Sequence, residues 1–463
     1  MMIDCKDGTR RRYDVVLLPS FTQADAYKKA HAGEGLFGVV ATTFDAWIAD
    51  LWGLHGDGRI LIDSISRRVA MRTAFAACEL PADFASSGYA RLAADIAMQG
   101  AGVPAFEKLL AGDPSVEDRF SENEKTLAGA LSSYFALIAG QGFVEQGEAL
   151  AVLARSDGFR RSLDVLMPDA DPLTWQQRYF FDECESIHVD IRFAPGSEGV
   201  GAQPVGCMVD FAYASGAYAQ PALIADIVRA HATEGPLAIA SADPLALYGA
   251  MAHRLAQDGF CCEVRGRKPF TETAFGKAYM AMLRCCHDDP WRPSTLVDVL
   301  LSPFSGVDRA TAHDVAARLS QDRLAKKESY LAPLRASFDA FSQLEEIALD
   351  PEADILIGAM GDAVSARFEW SEAFRSEQLA AMNVLRQASE AARTFGADIL
   401  LCGAVLESAS VPVSARSVAS VEPSVAIGTQ DDIAAMGRAA AKTLVLADMN
   451  SIDYPVADKD DAA

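Results

Sequence analysis

Hydroxyl and carboxylate side chains follow several predicted strands, where they could contact phosphate groups or metal ions. Thr42 and Thr43 come after the apolar run that begins at Gly38 and precede a helical pattern. Two hydroxyls at a helix N-terminus can bind a phosphate group. The alternative is that one of them only caps the helix, because Thr is strongly favoured at that position.

Asp169 and Asp171 follow the predicted strand 162–167 in the same way. Carboxylates at the end of such a strand can hold the metal ion of a bound nucleotide. The alternative is an Asp-Pro turn with helix capping. Asp448, after the last predicted strand, has the same two interpretations.

A basic cluster and an aromatic residue are candidates for nucleic-acid contacts. Arg265, Arg267 and Lys268 form the densest basic cluster near a predicted core strand. They could touch phosphates, or they could belong to a solvated loop. Phe44 could stack on a base, although its spacing from Trp47 is typical of a helix face that packs in a core.

Complete catalytic motifs are missing. The sequence has no GxxxxGK[ST] phosphate loop, since Ala278 follows Gly276-Lys277, and it has no GxGxxG, GxSxG or HExxH. The nine cysteines lack zinc-finger spacing, which predicts reduced core residues and no metal site.

The elements that must position these residues alternate between strand and helix. The predicted strands are 13–19, 38–43, 162–167, 187–193, 236–241, 260–264 and 442–447, and the intervening helices include 23–32, 44–54, 173–185, 220–232 and 245–258. Such alternation indicates an α/β fold with parallel sheets. Residues 399–413 are ambiguous between helix and strand.

Two α/β domains, each interrupted by a helical block, fit this pattern. We expect the first domain in residues 1–60 and 155–205, with a helical insertion at 61–154. The second domain is expected in 206–275 and 395–463, with an insertion at 276–394. The Gly/Pro-rich stretch before residue 206 marks the boundary.

Composition limits the function further. The 463 residues carry 41 basic and 64 acidic side chains, a net charge of −23, which argues against nucleic-acid binding through overall positive charge but permits a local basic groove. No apolar stretch is long enough for a membrane span, and the polar N-terminus does not resemble a signal peptide. These features predict a cytoplasmic protein without a membrane partner.

The ordered set of motifs resembles a helicase family. The segments that carry the likeness are 13–19 with 38–52 (GVVATTFDAWIADLW), 163–177 (LDVLMPDADPLTWQQ), 236–266, 268–276, 300–306 (LLSPFSG) and 444–455 (LVLADMNSIDYP). They are similar to the helicase-like region of AddB/RexB-type helicase–nuclease subunits, which belong to the PD-(D/E)XK family. Segment 38–52 resembles motif Ia of superfamily-one helicases, and 163–177 resembles a degenerate Walker B.

This resemblance implies two RecA-like parallel-sheet domains and a role in double-strand-break processing, with Thr42, Thr43 and Phe44 against single-stranded DNA. It also implies an AddA-like motor helicase subunit as partner. The family uses ATP and Mg²⁺, and some members carry an iron–sulfur cluster in a nuclease domain that we expect to be missing here. Since the phosphate loop is absent, we expect an ATPase-silent DNA-handling module without a cofactor, or alternatively a structural partner subunit that binds neither DNA nor nucleotide.

Overall fold

A computed structural model describes most of the chain. The described residues are 2–4, 10–31, 38–78, 87–99, 108–156, 162–167, 175–191, 210–214, 219–231, 234–287, 293–302, 304, 309–321, 372–417, 424–429, 432–433, 436 and 441–447.

This part of the chain contains thirteen strands, fourteen α-helices and two short 3-10 helices, Pro114–Arg119 and Phe270–Glu272. The strands are β1 (Met2–Asp4), β2 (Arg10–Arg12), β3 (Val15–Leu17), β4 (Val40–Thr42), β5 (Ile60–Leu61), β6 (Phe143–Val144), β7 (Leu163–Met167), β8 (Ile187–Ile191), β9 (Leu237–Ala240), β10 (Cys262–Pro269), β11 (Ser410–Arg416), β12 (Val425–Gly428) and β13 (Thr443–Leu446). The helices are α1 (Phe21–Ala30), α2 (Phe44–His55), α3 (Ser64–Ala77), α4 (Ser87–Gln99), α5 (Glu122–Gly140), α6 (Gln146–Ala154), α7 (Trp175–Glu183), α8 (Ala219–His231), α9 (Pro244–Gln257), α10 (Ala274–His287), α11 (Pro293–Leu301), α12 (Arg309–Gln321), α13 (Glu372–Phe395) and α14 (Ile399–Glu407).

The first sheet contains four parallel strands in the order β4–β3–β7–β8. Its central strand β3 is buried on both faces, as expected for a parallel sheet covered by helices. Val15 and Leu17 pack with aromatic residues of α2 and α7, whereas Val16 packs on the opposite face with Ala24 of α1. The chain runs from β3 to β4 on one side and then to β7 on the other, so the topological switch point lies between β3 and β7.

The second sheet has five strands in the order β11–β10–β12–β9–β13. Strand β9 pairs in parallel with β12 and β13, and β12 pairs in parallel with β10, whereas β11 runs antiparallel to β10. All four residues of β9 are buried, and helices α8 and α9 pack Ile224, Leu247 and Met251 on this sheet. The sequence-based expectation of an α/β fold with parallel sheets is therefore confirmed.

The two helical regions form one hydrophobic core. Met71 of α3 and Leu131 of α5 belong to the same buried cluster as Leu385 of α13 and Leu406 of α14. The rings of Phe143 and Phe395 lie 5.5 Å apart between centroids, in a tilted arrangement that aromatic pairs favour. Helices from the two expected insertions, together with α14 from the part expected as the second α/β domain, therefore pack into a single helical body.

Three elements of the second sheet differ from the predictions. Strand β10 continues to Pro269, five residues beyond the predicted end at residue 264. The ambiguous region 399–413 contains helix α14 and the beginning of strand β11. Strand β12 was not predicted at all. The extension of β10 places the basic cluster in a strand and contradicts the alternative of a loop.

Candidate nucleic-acid interface

Strands β10 and β11 form a long antiparallel ribbon at one side of the second sheet. Their register runs from Glu263 opposite Arg416 to Pro269 opposite Ser410. Strand β12 pairs only with residues 262–264 of β10, so beyond that point β11 is the one strand neighbour of β10 in the described structure. The basic cluster of the sequence therefore lies where the ribbon extends past the parallel part of the sheet.

The inner face of the ribbon packs against helix α9. Cys262, Val264 and Gly266 are buried on this face. A Cβ atom at Gly266 would lie 3.1 Å from side-chain atoms of both Pro244 and Leu245, which shows how closely the helix approaches. Because side chains alternate along a strand, residues 263, 265 and 267 point to the opposite, outer face.

The outer face carries three arginines. Arg265 and Arg267 lie on β10, and Arg416 lies on β11 opposite Glu263. The side chains of Arg265 and Arg416 are 43% and 49% exposed, and Arg267 is also exposed. Three guanidiniums therefore share this face with a single carboxylate, that of Glu263.

Glu263 and Ser410 hold the guanidiniums in place. Arg265 Nε lies 3.8 Å from one carboxylate oxygen of Glu263, and Arg416 Nη2 lies 3.3 Å from the other. Arg267 Nε donates a 2.8 Å hydrogen bond to Ser410 Oγ. A guanidinium has five N–H donors, so each arginine keeps donors for an anion in solution.

Lys268 has a different environment from the two arginines before it. It lies opposite Val411 in the register and is half-buried, and its Nζ is 3.3 Å from Glu377 Oε1 of helix α13. This ion pair connects the ribbon to the helical body. The structure thus separates Lys268 from Arg265 and Arg267, with which it was grouped by sequence.

Thr43 and Phe44 have local structural roles at the start of α2. Thr43 Oγ1 accepts a hydrogen bond from the backbone N–H of Ala46, which confirms the capping alternative for Thr43. Phe44 is 9% exposed and packs edge-to-face on Trp47 and Phe181. Thr42 is half-buried at the end of β4, and its carbonyl accepts from the N–H of Leu18. A contact of these three residues with DNA stays a prediction.

The predicted site residues fall into separate places. Thr42 ends β4 at the edge of the first sheet and Thr43 and Phe44 follow it, whereas Arg265 and Arg267 lie on the ribbon of the second sheet. Asp169, Asp171 and Asp448, the predicted carboxylates at strand ends, lie outside the described residues.

The end of β3, at the switch point of the first sheet, leads directly into a capped helix. Ser20 Oγ accepts a 3.3 Å hydrogen bond from the N–H of Gln23 and caps α1. The turn between strand and helix is Leu18-Pro19-Ser20, without a glycine. A phosphate loop cradles phosphates with successive N–H groups of a glycine-rich turn, which this connection does not supply.

Two buried thiols, Cys262 in the ribbon and Cys402 in the helical core, are protected from ionisation. Burial, together with the neighbouring Cys261, raises the pKa of Cys262 to about 12. Burial raises the pKa of Cys402 in helix α14 to about 11. Since the thiolate is the nucleophilic and metal-binding form, these residues act as core side chains near neutral pH.

Searches for a metal site, for a membrane-spanning helix and for similar known proteins do not identify a function for this chain. Within the described ranges, no group of three or more His, Cys, Asp or Glu residues is arranged to hold a metal ion. None of the helices in that part of the chain is long and apolar enough to cross a membrane. Neither the comparison with protein-family models nor the comparison with curated proteins found a match to this chain.

The sequence patterns did not indicate Arg416 and its serine neighbours on β11 as site residues. The segment SVPVSAR alternates apolar and polar residues, which is a strand signal, but it directly follows the apolar helix α14. Arg416 joins the outer face only through pairing with β10, which is more than 140 residues away in the chain. The candidate interface is therefore the outer face of the ribbon, formed by Arg265, Arg267 and Arg416 around Glu263.

Proposed function

We propose that this chain is an ATPase-silent, helicase-like DNA-handling module. The observation that carries the proposal is the outer face of the ribbon, which presents three exposed arginines on a protein of net charge −23. A local concentration of guanidiniums on an otherwise acidic protein favours a contact with phosphates at one place only.

The architecture supports a helicase-like assignment at the level of fold. Parallel sheets are present in both halves of the chain, and both lead into the helical body. These sheets are proposed to be RecA-like domains of the type found in AddB/RexB subunits. The proposed context is a helicase–nuclease complex that processes double-strand breaks for recombination and repair.

The missing phosphate loop supports the ATPase-silent part of the proposal. The connection Leu18-Pro19-Ser20 with its helix cap occupies the place of such a loop. An AddA-like motor subunit would then supply ATP hydrolysis with Mg²⁺, and this chain would guide a DNA strand.

Binding of a labelled single-stranded oligonucleotide tests the DNA-handling function. Fluorescence anisotropy at low salt should give saturable binding that weakens as salt rises, because each phosphate contact releases counterions. Absence of binding at low salt, where such contacts are strongest, would overturn the proposal.

A thermal-shift experiment tests the ATPase-silent assignment. Mg-ATP should leave the Tm unchanged, because a ligand raises Tm only when it binds the folded state. A Tm that rises with nucleotide concentration would show that the chain binds nucleotide and would contradict a silent nucleotide site.

The alternative is a structural partner subunit that binds neither DNA nor nucleotide. The net charge of −23 favours it, since a strongly acidic protein repels DNA at long range. Stable co-purification with a motor helicase, combined with no DNA binding by this chain, would support this alternative over the DNA-handling function.

A further inference from the structure

Every second cross-strand residue pair of the ribbon faces outward, and each such pair is called a step. The three arginines lie on consecutive steps. In the register, Arg416 shares a step with Glu263, Arg265 shares the next with Ser414, and Arg267 shares the third with Pro412. Neighbouring steps are two residues apart, or about 6.8 Å at the usual rise of an antiparallel strand. The guanidiniums therefore originate from a row about 14 Å long.

We infer that this row is a binding strip for the sugar–phosphate backbone of a single extended nucleic-acid strand, with one phosphate at each arginine. The inference rests on the proposed function and specifies its contact. Successive phosphates of an extended single strand are separated by a distance similar to one step of the ribbon. The three arginines sit at successive steps of the ribbon, a spacing that matches this repeat, with Arg416 on β11 about 5 Å across from β10.

The width of the strip favours a single strand over a duplex. The three arginines occupy two strands that lie only about 5 Å apart, so together they form one narrow band of cations. A duplex presents two phosphate rows across a groove, and the major groove is about 12 Å wide. The two strands of the ribbon carry no second band of cations that could match a second phosphate row.

The chemistry of the face predicts contact without sequence preference. The residues opposite Arg265 and Arg267 are Ser414 and Pro412, and no aromatic side chain occurs in β10 or β11. Base stacking needs an aromatic platform, so the bases are left to other surfaces or to solvent. Recognition through phosphates alone does not distinguish base sequence.

Glu263 has a positioning role and also competes with the phosphates. Its side chain is 13% exposed and lies between Arg265 and Arg416. It orients both guanidiniums, yet it neutralises part of their charge. Glu263→Gln keeps a hydrogen-bond acceptor beside them and removes the negative charge, so it should strengthen binding.

A charge-matched pair of triple variants tests the strip. The test variant is Arg265→Gln with Arg267→Gln and Arg416→Gln. The control variant is Arg254→Gln with Arg318→Gln and Arg393→Gln, which removes the same charge from exposed helix positions outside the ribbon. The probe is a labelled oligothymidylate, titrated by anisotropy over a series of salt concentrations, and the Tm of each variant verifies folding.

The expected result is a loss specific to the test variant. Its Kd should rise at least tenfold at low salt, and its slope of log K against log salt should be shallower by about 2, since each single-strand phosphate contact contributes roughly 0.7. The control variant should keep the wild-type slope. Glu263→Gln should bind more tightly than wild type, a gain that a folding defect would not produce.

Other outcomes separate the two levels of the proposal. If wild type binds the oligonucleotide and both triple variants lose affinity equally, the strip is wrong although the DNA-handling function stands. If wild type does not bind, both are wrong. Tighter binding of a duplex than of a single strand of equal length at the same salt concentration would overturn the single-strand assignment. An oligouridylate of equal length should give the same slope as the oligothymidylate, because the phosphates are shared.

Discussion

Glu145 is the one charged residue of the described structure whose side chain is buried, with 1% exposure. It lies just before helix α6, and its carboxylate accepts two parallel hydrogen bonds of 2.8 Å from the guanidinium of Arg67. The hydroxyl of Tyr134, itself fully buried, also donates to it. Burial and the carboxylate raise the pKa of Tyr134, which keeps this hydroxyl a donor. The three side chains join α3, α5 and the start of α6.

Replacing Glu145 with Gln should lower the free energy of unfolding by about 3–5 kcal/mol, because it leaves the guanidinium of Arg67 without its anion in a mostly buried site. Denaturant unfolding measures the change. The control is Glu122→Gln, whose side chain is 87% exposed and pairs with Lys125. That surface pair should contribute less than about 1 kcal/mol. Equal effects of the two substitutions would contradict a stabilising role for the buried triad.

The thiols of Cys262 and Cys402 predict a loss of stability at alkaline pH. Burial raises their pKa values from 9.0 to about 12 and about 11. The folded state therefore holds these protons more tightly than the unfolded chain. Their contribution is complete below about pH 9 and is lost as pH rises towards the folded-state values.

This pH dependence can be measured by denaturant unfolding between roughly pH 8 and pH 11. Each thiol should contribute a slope of at most about 1.4 kcal/mol per pH unit. The double variant Cys262→Ala with Cys402→Ala should show a flatter curve than wild type over this range. An unchanged slope in the variant would mean that the thiols do not cause the loss.

Among the elements, those with a local signal were predictable from sequence. The apolar run that ends at Pro19 predicted β3, and Asp243-Pro244 predicted the start of α9, where Asp243 accepts from the N–H of Ala246. The second half of β10 was not predictable, because Arg265 to Pro269 has no apolar run and gains its partner from β11. The pattern of apolar residues within one segment does not reveal that the segment pairs with a strand far away in the sequence.

In the candidate interface, too, residues that are neighbours in sequence were predictable, whereas a residue brought in by strand pairing was not. Arg265 and Arg267 were recognisable as a cluster because they are neighbours in sequence. Arg416 was not, because only the register of the ribbon brings it beside Glu263. Lys268 was assigned to the cluster by proximity, but strand alternation turns it towards Glu377.

The cap of helix α2 gives a prediction for a single element. Thr43→Ala should lower the free energy of unfolding by about 0.5–2 kcal/mol, because the N–H of Ala46 loses its acceptor. Thr43→Ser keeps the hydroxyl and should stay close to wild type in denaturant unfolding. If both variants also bind single-stranded DNA as wild type does, capping is the whole role of this side chain. Weaker binding by the alanine variant alone would instead place the hydroxyl at the DNA.

For the whole molecule, the shared helical core determines which parts unfold together. Helix α3 is in direct contact with α13 and α14, and α5 packs on α3 within the same buried cluster. Both parallel sheets connect into this body through their own strands and loops. A destabilising substitution in α13 should therefore also lower the local stability of helices that are about 250–300 residues away in sequence.

Phe395→Ala tests this coupling. Phe395 is 4% exposed and contacts Phe143, so its truncation should lower the free energy of unfolding by about 3–5 kcal/mol. Hydrogen exchange should speed up in α3 and α5 as well as in α13. The control is Leu379→Ala in the same helix, where the side chain is 54% exposed and the effect should be small. Faster exchange confined to α13 and α14 would contradict a shared core.

The shared core also has a consequence for synthesis on the ribosome. The first helices of the core are complete at Ile138, whereas its last buried residue is Val411. At about 5–20 residues per second, roughly 15–55 s separate the emergence of these two residues. During that interval α3 and α5 can pack on each other, but the apolar face of α3 that packs on α13 and α14 lacks its native partner and is exposed to aggregation. Nascent chains of this protein are therefore expected to depend on chaperones until the segment from α13 to β11 has left the ribosome.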